Sequence, residues 1–311
     1  MSVKIIIDST ADITKDEQIR YDIDIAPLTI YTRDGEYIDT EIDLNEFYVK
    51  YLRDLDNIPT SSQPSTELFC SMFEAAAQAG REVLAISVSE ELSGTMQAMH
   101  IAAEIVAKKY PEWNYEVFDS RSTGFQEGLQ ALAAAKCAQE GGSLEQCLQV
   151  AKNTQQRSKF LFVPDTLENL RKGGRIGRVS ALLGTALQIR PLLGVKDGEV
   201  HVFKKVRTQQ KALAAMLQVF KDDIETHGGI VDIMAQYIGT RSDGESFAKK
   251  YLEPLVGKVV PVRAVTPVVG VHVGPAVGLV YQTADPLWGP PLWEQAKSSV
   301  EARLDNARSA K

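Results

Sequence analysis

Strand-like and helix-like segments alternate along the first half of the chain, and this alternation limits the fold more than any other feature of the sequence. Apolar strand patterns occupy positions 4–7, 25–31, 83–87 and 115–119, and helical patterns occupy 66–79, 93–109 and 123–139. Strands separated by helices are typical of crossover units on a parallel sheet. The pattern therefore predicts an α/β domain with a doubly wound, mostly parallel sheet.

The second half predicts a different, α+β arrangement. Asp197-Gly198 separates two apolar runs at 192–195 and 200–204, and an Asp-Gly pair tolerates the positive φ angles of a tight hairpin. Helices are expected at 208–224 and 242–255, and strands at 230–237, 259–264 and 277–281. We expect one domain at 1–158, a second at 159–285, and a C-terminal tail at 286–311 that is helical and docks on the body or on a partner.

The charge balance and the cysteines exclude several classes of protein. Lys and Arg total 34 against 41 Asp and Glu, a net charge of -7, which argues against nucleic acid as the main partner. Cys70, Cys137 and Cys147 form no C-x-x-C pair, so neither a disulfide framework nor a zinc knuckle is expected. The N-terminal apolar run meets Asp8 too early for a signal peptide, so we expect a cytoplasmic protein.

One uncharged stretch, 264–284, is long enough to cross a bilayer. Pro and Gly interrupt it repeatedly, and the intervening valines favour strands. The sequence therefore predicts two buried strands joined by a Gly-Pro turn, and at most transient contact with a membrane surface.

Two hydroxyl-rich segments precede predicted helices. Thr60-Ser61-Ser62-Gln63-Pro64-Ser65 is the first, and Ser93-Gly94-Thr95, after a buried strand, is the second. In open α/β sheets the ligand crevice lies at the carboxyl ends of strands, and a helix start attracts carboxylate or phosphate. Each segment alone is explained by ordinary helix capping; together they favour a shared anion site.

Other side chains leave alternatives open. Asp8 and Asp119 follow strands and either hold a metal for phosphotransfer or accept backbone N–H bonds in their loops, and we favour the second. His272 lies in an apolar run and is either a core histidine or a ligand contact. No G-x-S-x-G elbow is present, although Ser93 and His272 could meet in space.

The basic loop Arg171-Lys172-Gly173-Gly174-Arg175-Ile176-Gly177-Arg178 lacks the order of a phosphate-binding P-loop. It is interpreted as a helix C-terminus at Gly173 followed by solvated charges, or as a docking site for an acidic partner or anionic lipid.

These motifs, in this order and spacing, resemble the DegV family of bacterial fatty-acid-binding proteins. The resemblance runs from Lys4 to about Tyr281 and rests on the following landmarks: Asp8-Ser9-Thr10-Ala11-Asp12, Pro59 to Ser65, Ile86-Ser87 with Leu92-Ser93-Gly94-Thr95, Phe118-Asp119-Ser120 with Gly124, Leu170 to Ile176, Arg190-Pro191-Leu192-Leu193 with Asp197-Gly198, and His272-Val273-Gly274-Pro275.

The resemblance implies a two-domain carrier that buries one long-chain fatty acid between or within its domains. It implies that the hydroxyl motifs hold the carboxylate, with His272 nearby; the residues carried over are Ser61, Ser62, Ser93, Gly94 and Thr95. It further implies a separate fatty acid kinase subunit that uses ATP to form an acyl-phosphate for phospholipid synthesis. Arg175, with Lys172, would recognise that kinase, and no metal or cofactor besides the fatty acid is expected.

Two positions depart from the family pattern, and three hypotheses follow. Ser61 stands where Thr is common, and Ala276 where Gly is usual, which could alter the loop near His272. The first hypothesis is a non-catalytic fatty acid carrier. The second is a phosphotransfer or hydrolytic enzyme that uses Asp8, Asp119, Ser93 and His272. The third is a regulatory module whose ligand only changes partner binding through the basic loop or the tail.

Overall fold

A computed structural model describes residues 2–182 and 189–288. The expected helix in the C-terminal tail lies outside these residues. The first half contains the following elements: β1 Val3–Asp8, α1 Lys15–Tyr21, β2 Ile23–Ala26, β3 Thr29–Thr32, β4 Gly35–Ile38, α2 Leu44–Tyr51, β5 Thr60–Ser62, α3 Thr66–Gln78, β6 Glu82–Ser87, α4 Thr95–Lys109, β7 Tyr115–Asp119, α5 Phe125–Gln139 and α6 Leu144–Arg157.

The second half contains β8 Ser158–Pro164, α7 Glu168–Lys172, β9 Leu192–Lys196, β10 Glu199–Lys204, α8 Gln209–Thr226, β11 Ile230–Ile238, α9 Arg241–Phe247, α10 Glu253–Val256, β12 Val262–Ala264, α11 Pro267–Val273 and β13 Ala276–Thr283. A π-helical turn, Ala248–Leu252, joins α9 to α10. Short 3₁₀ turns lie at Ser9–Ala11, Asp39–Glu41 and Gly177–Leu182.

The N-terminal sheet has the order β2-β1-β6-β7, and all of its strands are parallel. Every residue of β1 is buried because helices cover both faces of the sheet. On one face Ala131 and Ala151, from α5 and α6, pack on the sheet, and on the other Phe73 and Met99, from α3 and α4. The predicted doubly wound α/β fold is confirmed.

The C-terminal sheet has the order β10-β9-β8-β13-β11-β12 and is antiparallel except for the β11–β12 pair. Asp197 and Gly198 form the predicted hairpin turn, with φ of 53° and 85°. This sheet begins at Ser158. The division into domains near residue 158 stays a prediction.

Two strand predictions are wrong. The segment 25–31 is not one strand, because Pro27 has no N–H to continue the ladder; β2 and β3 lie on either side of it, in different sheets. The first of the two strands expected within 264–284 is helix α11. Pro267 stands at the first helical position, where its missing N–H costs nothing and its fixed φ fits a helix.

Two features around the hydroxyl-rich segments also differ from the prediction. β3, β4 and β5 form a separate antiparallel sheet, so Thr60–Ser62 is an edge strand rather than loop. Helix α4 begins at Thr95 with Gly94 as its N-cap residue, two residues later than predicted.

One hydrophobic core joins the two halves. It combines Leu28 and Phe47 from the first half with Phe160, Val269 and Val280 from the second, among others. This shared core surrounds the candidate site.

Candidate functional site

An apolar cavity lies inside the shared core. Its volume open to water-sized molecules is about 70 Å³. Its apolar lining is Leu28, Val88, Leu92, Phe160, Phe162, Leu170, Val195, Val200, Val268, Val269 and Val273, and its polar lining is Thr10, Ser61, Ser93, Thr123, Arg175 and His272. We call it the main cavity.

Strand β5 brings Ser61 to His272. Ser61 Oγ and His272 Nε2 lie 2.8 Å apart, and both residues line the main cavity. Successive residues of a strand face opposite sides, so Ser62 points away, and its Oγ lies 3.2 Å from the Tyr31 hydroxyl. Of the two predicted serines, the structure places only Ser61 in the cavity wall.

His272 is neutral at physiological pH. Burial lowers the pKa of its imidazole to about 4, and the positive charge of Arg175 acts in the same direction. Its Nδ1 is buried and has no hydrogen-bond partner among the described residues. In the tautomer protonated at Nε2, His272 donates to Ser61 Oγ, and the Ser61 hydroxyl is free to donate into the cavity.

Ser93 lines the same cavity just before α4. Its Oγ lies 2.9 Å from Thr95 Oγ1 and accepts the Thr95 amide at 3.3 Å. Thr95 is fully buried, lies outside the cavity lining, and holds the Ser93 hydroxyl in place through these two hydrogen bonds. A Cβ on Gly94 would collide with the Gln63 carboxamide, so a glycine lets the two hydroxyl-rich segments approach closely.

Arg175 is also in the cavity wall, a position that the sequence alone did not indicate. Its Nε donates to Leu92 O at 3.2 Å and its Nη1 to Gly173 O at 2.7 Å. These bonds use two of the five guanidinium N–H groups, so others remain for an anion. The pair Gly173-Gly174 is the one sequence signal that could have indicated this position. Gly173 has no side chain and lies against His272, and Gly174 has a positive φ at which the loop turns.

Lys172, the other basic residue predicted to contact a partner, is exposed and donates from Nζ to Leu55 O. It does not line the main cavity.

The two strand-end acids hold their loops. Asp8 accepts N–H bonds from Thr10 and Val88 at 2.9 and 2.8 Å, and burial raises its pKa. Asp119 accepts the Arg121 amide at 2.7 Å, and burial raises its pKa to about 6. In the parts of the chain that the structure covers, no group of His, Cys, Asp and Glu forms a metal site. The favoured interpretation of both acids as loop anchors is confirmed.

The arrangement suits anion binding better than hydrolysis. Ser61 and His272 form a dyad, but a catalytic histidine needs an acid that orients its second nitrogen. Nothing within 2–182 or 189–288 bonds to His272 Nδ1; Gly173 lies there, so close that a Cβ on it would stand 2.5 Å away. A base with a pKa of about 4 also accepts a serine proton poorly.

A smaller inner cavity continues the apolar space. It is narrow, with a volume of about 10 Å³ open to water-sized molecules, and it shares four wall residues with the main cavity, namely Phe160, Phe162, Val269 and Val273. Its remaining wall includes Val265, Ile238 and Ala276. Ala276 therefore lies at this inner end of the site. Together the two cavities provide one polar end and an apolar continuation.

The structure bears on whether the uncharged stretch 264–284 crosses a membrane. Where the structure describes helices, none is both long and apolar enough to cross a bilayer. The stretch 264–284 contains only the short helix α11 between β12 and β13.

Comparisons with known proteins agree with this architecture. The family model described as "Uncharacterised protein, DegV family" matches residues 2–284. A DegV domain-containing protein of Clostridium perfringens is 37% identical over 287 residues, which cover 90% of this chain and 99% of that protein.

Two similar solved structures come from proteins described as fatty acid binding. A DegV family protein from Thermus thermophilus superposes with a TM-score of 0.80 at 28% identity, covering 91% of this chain and 100% of that one. DegV from Bacillus subtilis superposes with a TM-score of 0.77 at 26% identity, covering 91% and 99%.

Proposed function

The chain belongs to the DegV family, and from this we propose that it binds one long-chain fatty acid in the main and inner cavities. The observation that carries the proposal is the grouping of Ser61, Ser93, Arg175 and His272 on the wall of a cavity that is otherwise apolar. A fatty acid has the same division into one anionic end and a long apolar tail.

In the proposed complex the carboxylate lies between Ser61 and Ser93. We assign the donor role in the Ser61–His272 and Ser93–Thr95 hydrogen bonds to His272 and Thr95, so that both serine hydroxyls direct their protons at the ligand. Arg175 supplies the positive charge that a carboxylate needs when it leaves water. Ser62, Gly94 and Thr95 act indirectly, by shaping the two hydroxyl-rich segments.

The tail follows the apolar wall. From the main cavity it passes between Phe160, Phe162, Val269 and Val273 into the inner cavity. Burial of each methylene contributes about 0.8 kcal/mol, which makes the tail the main source of affinity.

We further propose that the protein is a carrier and not itself a catalyst. A separate ATP-dependent fatty acid kinase subunit would phosphorylate the carboxylate in the bacterial cytoplasm, and the acyl-phosphate would feed phospholipid synthesis. The loop that contains Lys172 and Arg175 supports this proposal, because it joins the carboxylate end of the cavity to the exposed Lys172. Lys172 is then the partner contact, and Arg175 acts on the ligand.

The enzyme alternative has less support. Asp8 and Asp119 do not line the main cavity, and each is engaged with backbone amides. The regulatory alternative differs from the carrier only in what the partner does, so a kinase assay separates them.

Lipid analysis of the purified protein tests the binding proposal. We expect a fatty acid to be released on denaturation, and we expect Ser93→Ala to bind added oleic acid roughly 5- to 100-fold more weakly, because one donor to a buried charge is lost. Ser71→Ala is the matched control, since Ser71 is exposed on α3, does not line the main cavity and donates from Oγ to Leu68 O. Equal affinity of the Ser93 variant and the control would contradict the proposed site.

Hydroxylamine trapping tests the carrier role. The oleate-loaded protein with ATP alone should give no acyl hydroxamate, and addition of a purified bacterial fatty acid kinase catalytic subunit should produce it. Formation with ATP alone would establish the enzyme alternative instead. Lipid binding without formation in either case would favour the regulatory module.

A further inference from the structure

One cross-strand pair closes the far end of the inner cavity. Ile238 is the last residue of β11, Ala276 is the first of β13, and the antiparallel register places them opposite each other. Their side chains therefore lie on the same face of the sheet. The pair is almost fully buried, at 6% and 9% exposure.

The same pair borders open space on its other side. A surface groove with a volume of about 600 Å³ open to water-sized molecules runs between α2 and α9, and Ile238 and Ala276 line both this groove and the inner cavity. The groove lining includes the buried Tyr48, Leu52 and Phe247 and also charged residues such as Arg53 and Asp243. The Ile238–Ala276 pair is thus the partition between the fatty acid path and the protein surface.

We infer that this partition sets the longest acyl chain that the protein accepts, an inference that rests on the proposed function. The serines and Arg175 fix the carboxylate, so chain length decides where the methyl end lies. Each added methylene gains about fourfold in affinity while empty apolar space remains. Once the methyl end reaches the partition, the next carbons must displace paired strands, and affinity falls.

Removal of the partition would join the inner cavity to the groove. The groove would then receive the methyl end of a longer chain, because the side chains of Ile238 and Ala276 border both spaces. Enlargement of Ala276 would have the opposite effect and shorten the path.

Competitive binding tests the inference. The full-length protein, stripped of lipid, is offered an equimolar series of straight-chain saturated acids from myristic to behenic acid, and the bound acids are identified by native mass spectrometry. We expect a defined upper length for the wild type. Ile238→Ala should extend it by at least two carbons, and Ala276→Val or Ala276→Leu should shorten it.

The matched control is Ile233→Ala. Ile233 is in the same strand and is 2% exposed, but it packs in the core on the opposite face of the sheet. It reports on general loosening of β11. An unchanged length limit in the Ile238 and Ala276 variants, or an equal change in the Ile233 variant, would overturn the inference while wild-type binding still supports the proposed function. Failure of the wild type to bind any acid would instead contradict the proposed function.

Discussion

At the scale of single residues, Gly173 permits a close approach between the basic loop and His272. Its backbone has φ of -75°, which any residue can adopt, so the glycine is required for space and not for conformation. A Cβ there would stand 2.5 Å from His272 Nδ1 and 2.9 Å from Asn169 O. The absence of a side chain at Gly173 therefore lets the basic loop pack directly against His272.

We predict that Gly173→Ala weakens binding of oleic acid by roughly tenfold or more, because the new methyl group must displace His272 or the loop that contains Arg175. Isothermal titration of the lipid-free protein measures the effect. Gly174→Ala is the control, since Gly174 has φ of 74° and nothing within 4 Å of an added Cβ. Equal losses in both variants would indicate loop strain rather than contact with His272.

Thr10 lines the main cavity, but its hydroxyl proton is engaged by neighbouring acids. Its Oγ1 lies 2.7 Å from both Asp8 Oδ1 and Glu127 Oε2, and a hydroxyl has only one proton to donate. Burial and the neighbouring Asp8 raise the pKa of Glu127 well above its usual value, so Glu127 is protonated and donates to Thr10. Thr10 then donates to Asp8 and has no proton left for a carboxylate.

At the scale of elements, helix α11 is held by hydrogen bonds from residues that are far away in the sequence. Asp12 accepts the Thr266 amide at 2.7 Å, Asp39 accepts the Val268 amide at 2.9 Å, and Asn169 Nδ2 donates to Val271 O at 3.1 Å. The two acids thus give hydrogen-bond acceptors to backbone amides at the helix N-terminus, which have no partner within the helix. They therefore fix the helix that contains His272 and forms part of the cavity wall.

These acids predict a dependence of stability on pH. Burial raises the pKa of both Asp12 and Asp39 to about 7, above their value in the unfolded chain. A group whose pKa is raised in the folded state contributes stability that is fully present when the pH is below its pKa in the unfolded chain. For these acids that stability is lost as the pH rises through about 7. The contribution of these two groups to the free energy of unfolding therefore decreases from about pH 4 to about pH 7.

We expect Asp39→Asn to lose less stability than the wild type between about pH 5 and about pH 8, by on the order of 2 kcal/mol. Urea unfolding at both pH values measures it, and Asp56→Asn, in an exposed loop, is the control. The same pH dependence in the wild type and the Asp39 variant would show that this carboxyl does not titrate in the folded protein as proposed.

At the scale of the whole molecule, one core serves both halves of the chain, and the proposed ligand lies within it. A ligand that contacts both halves binds only when they are assembled. It therefore stabilises the molecule as a unit.

We predict that oleic acid at 100 times its dissociation constant raises the free energy of unfolding by about 2.7 kcal/mol, in a single thermal transition. Differential scanning calorimetry measures both properties. Methyl oleate is the matched control, because it keeps the tail but has no anionic carboxylate for Ser61, Ser93 and Arg175. An equal shift with the ester would argue against the proposed carboxylate site.

The sequence by itself determined those features whose causes are local. The period of apolar residues identified the parallel sheet and most helices, and Asp197-Gly198 identified a hairpin, because each signal depends on a few neighbouring residues. The hydroxyl-rich segments indicated an anion site for the same reason.

Only the tertiary structure decided α11, the orientation of Ser61 and the place of Arg175. The valines of 264–284 favour strands locally, but Pro267 and the amide bonds accepted by the Asp12 and Asp39 side chains fix a helix start. Asp12 and Thr266 are 254 positions apart. Contacts over such distances arise only when the chain is folded, so no local pattern contains them.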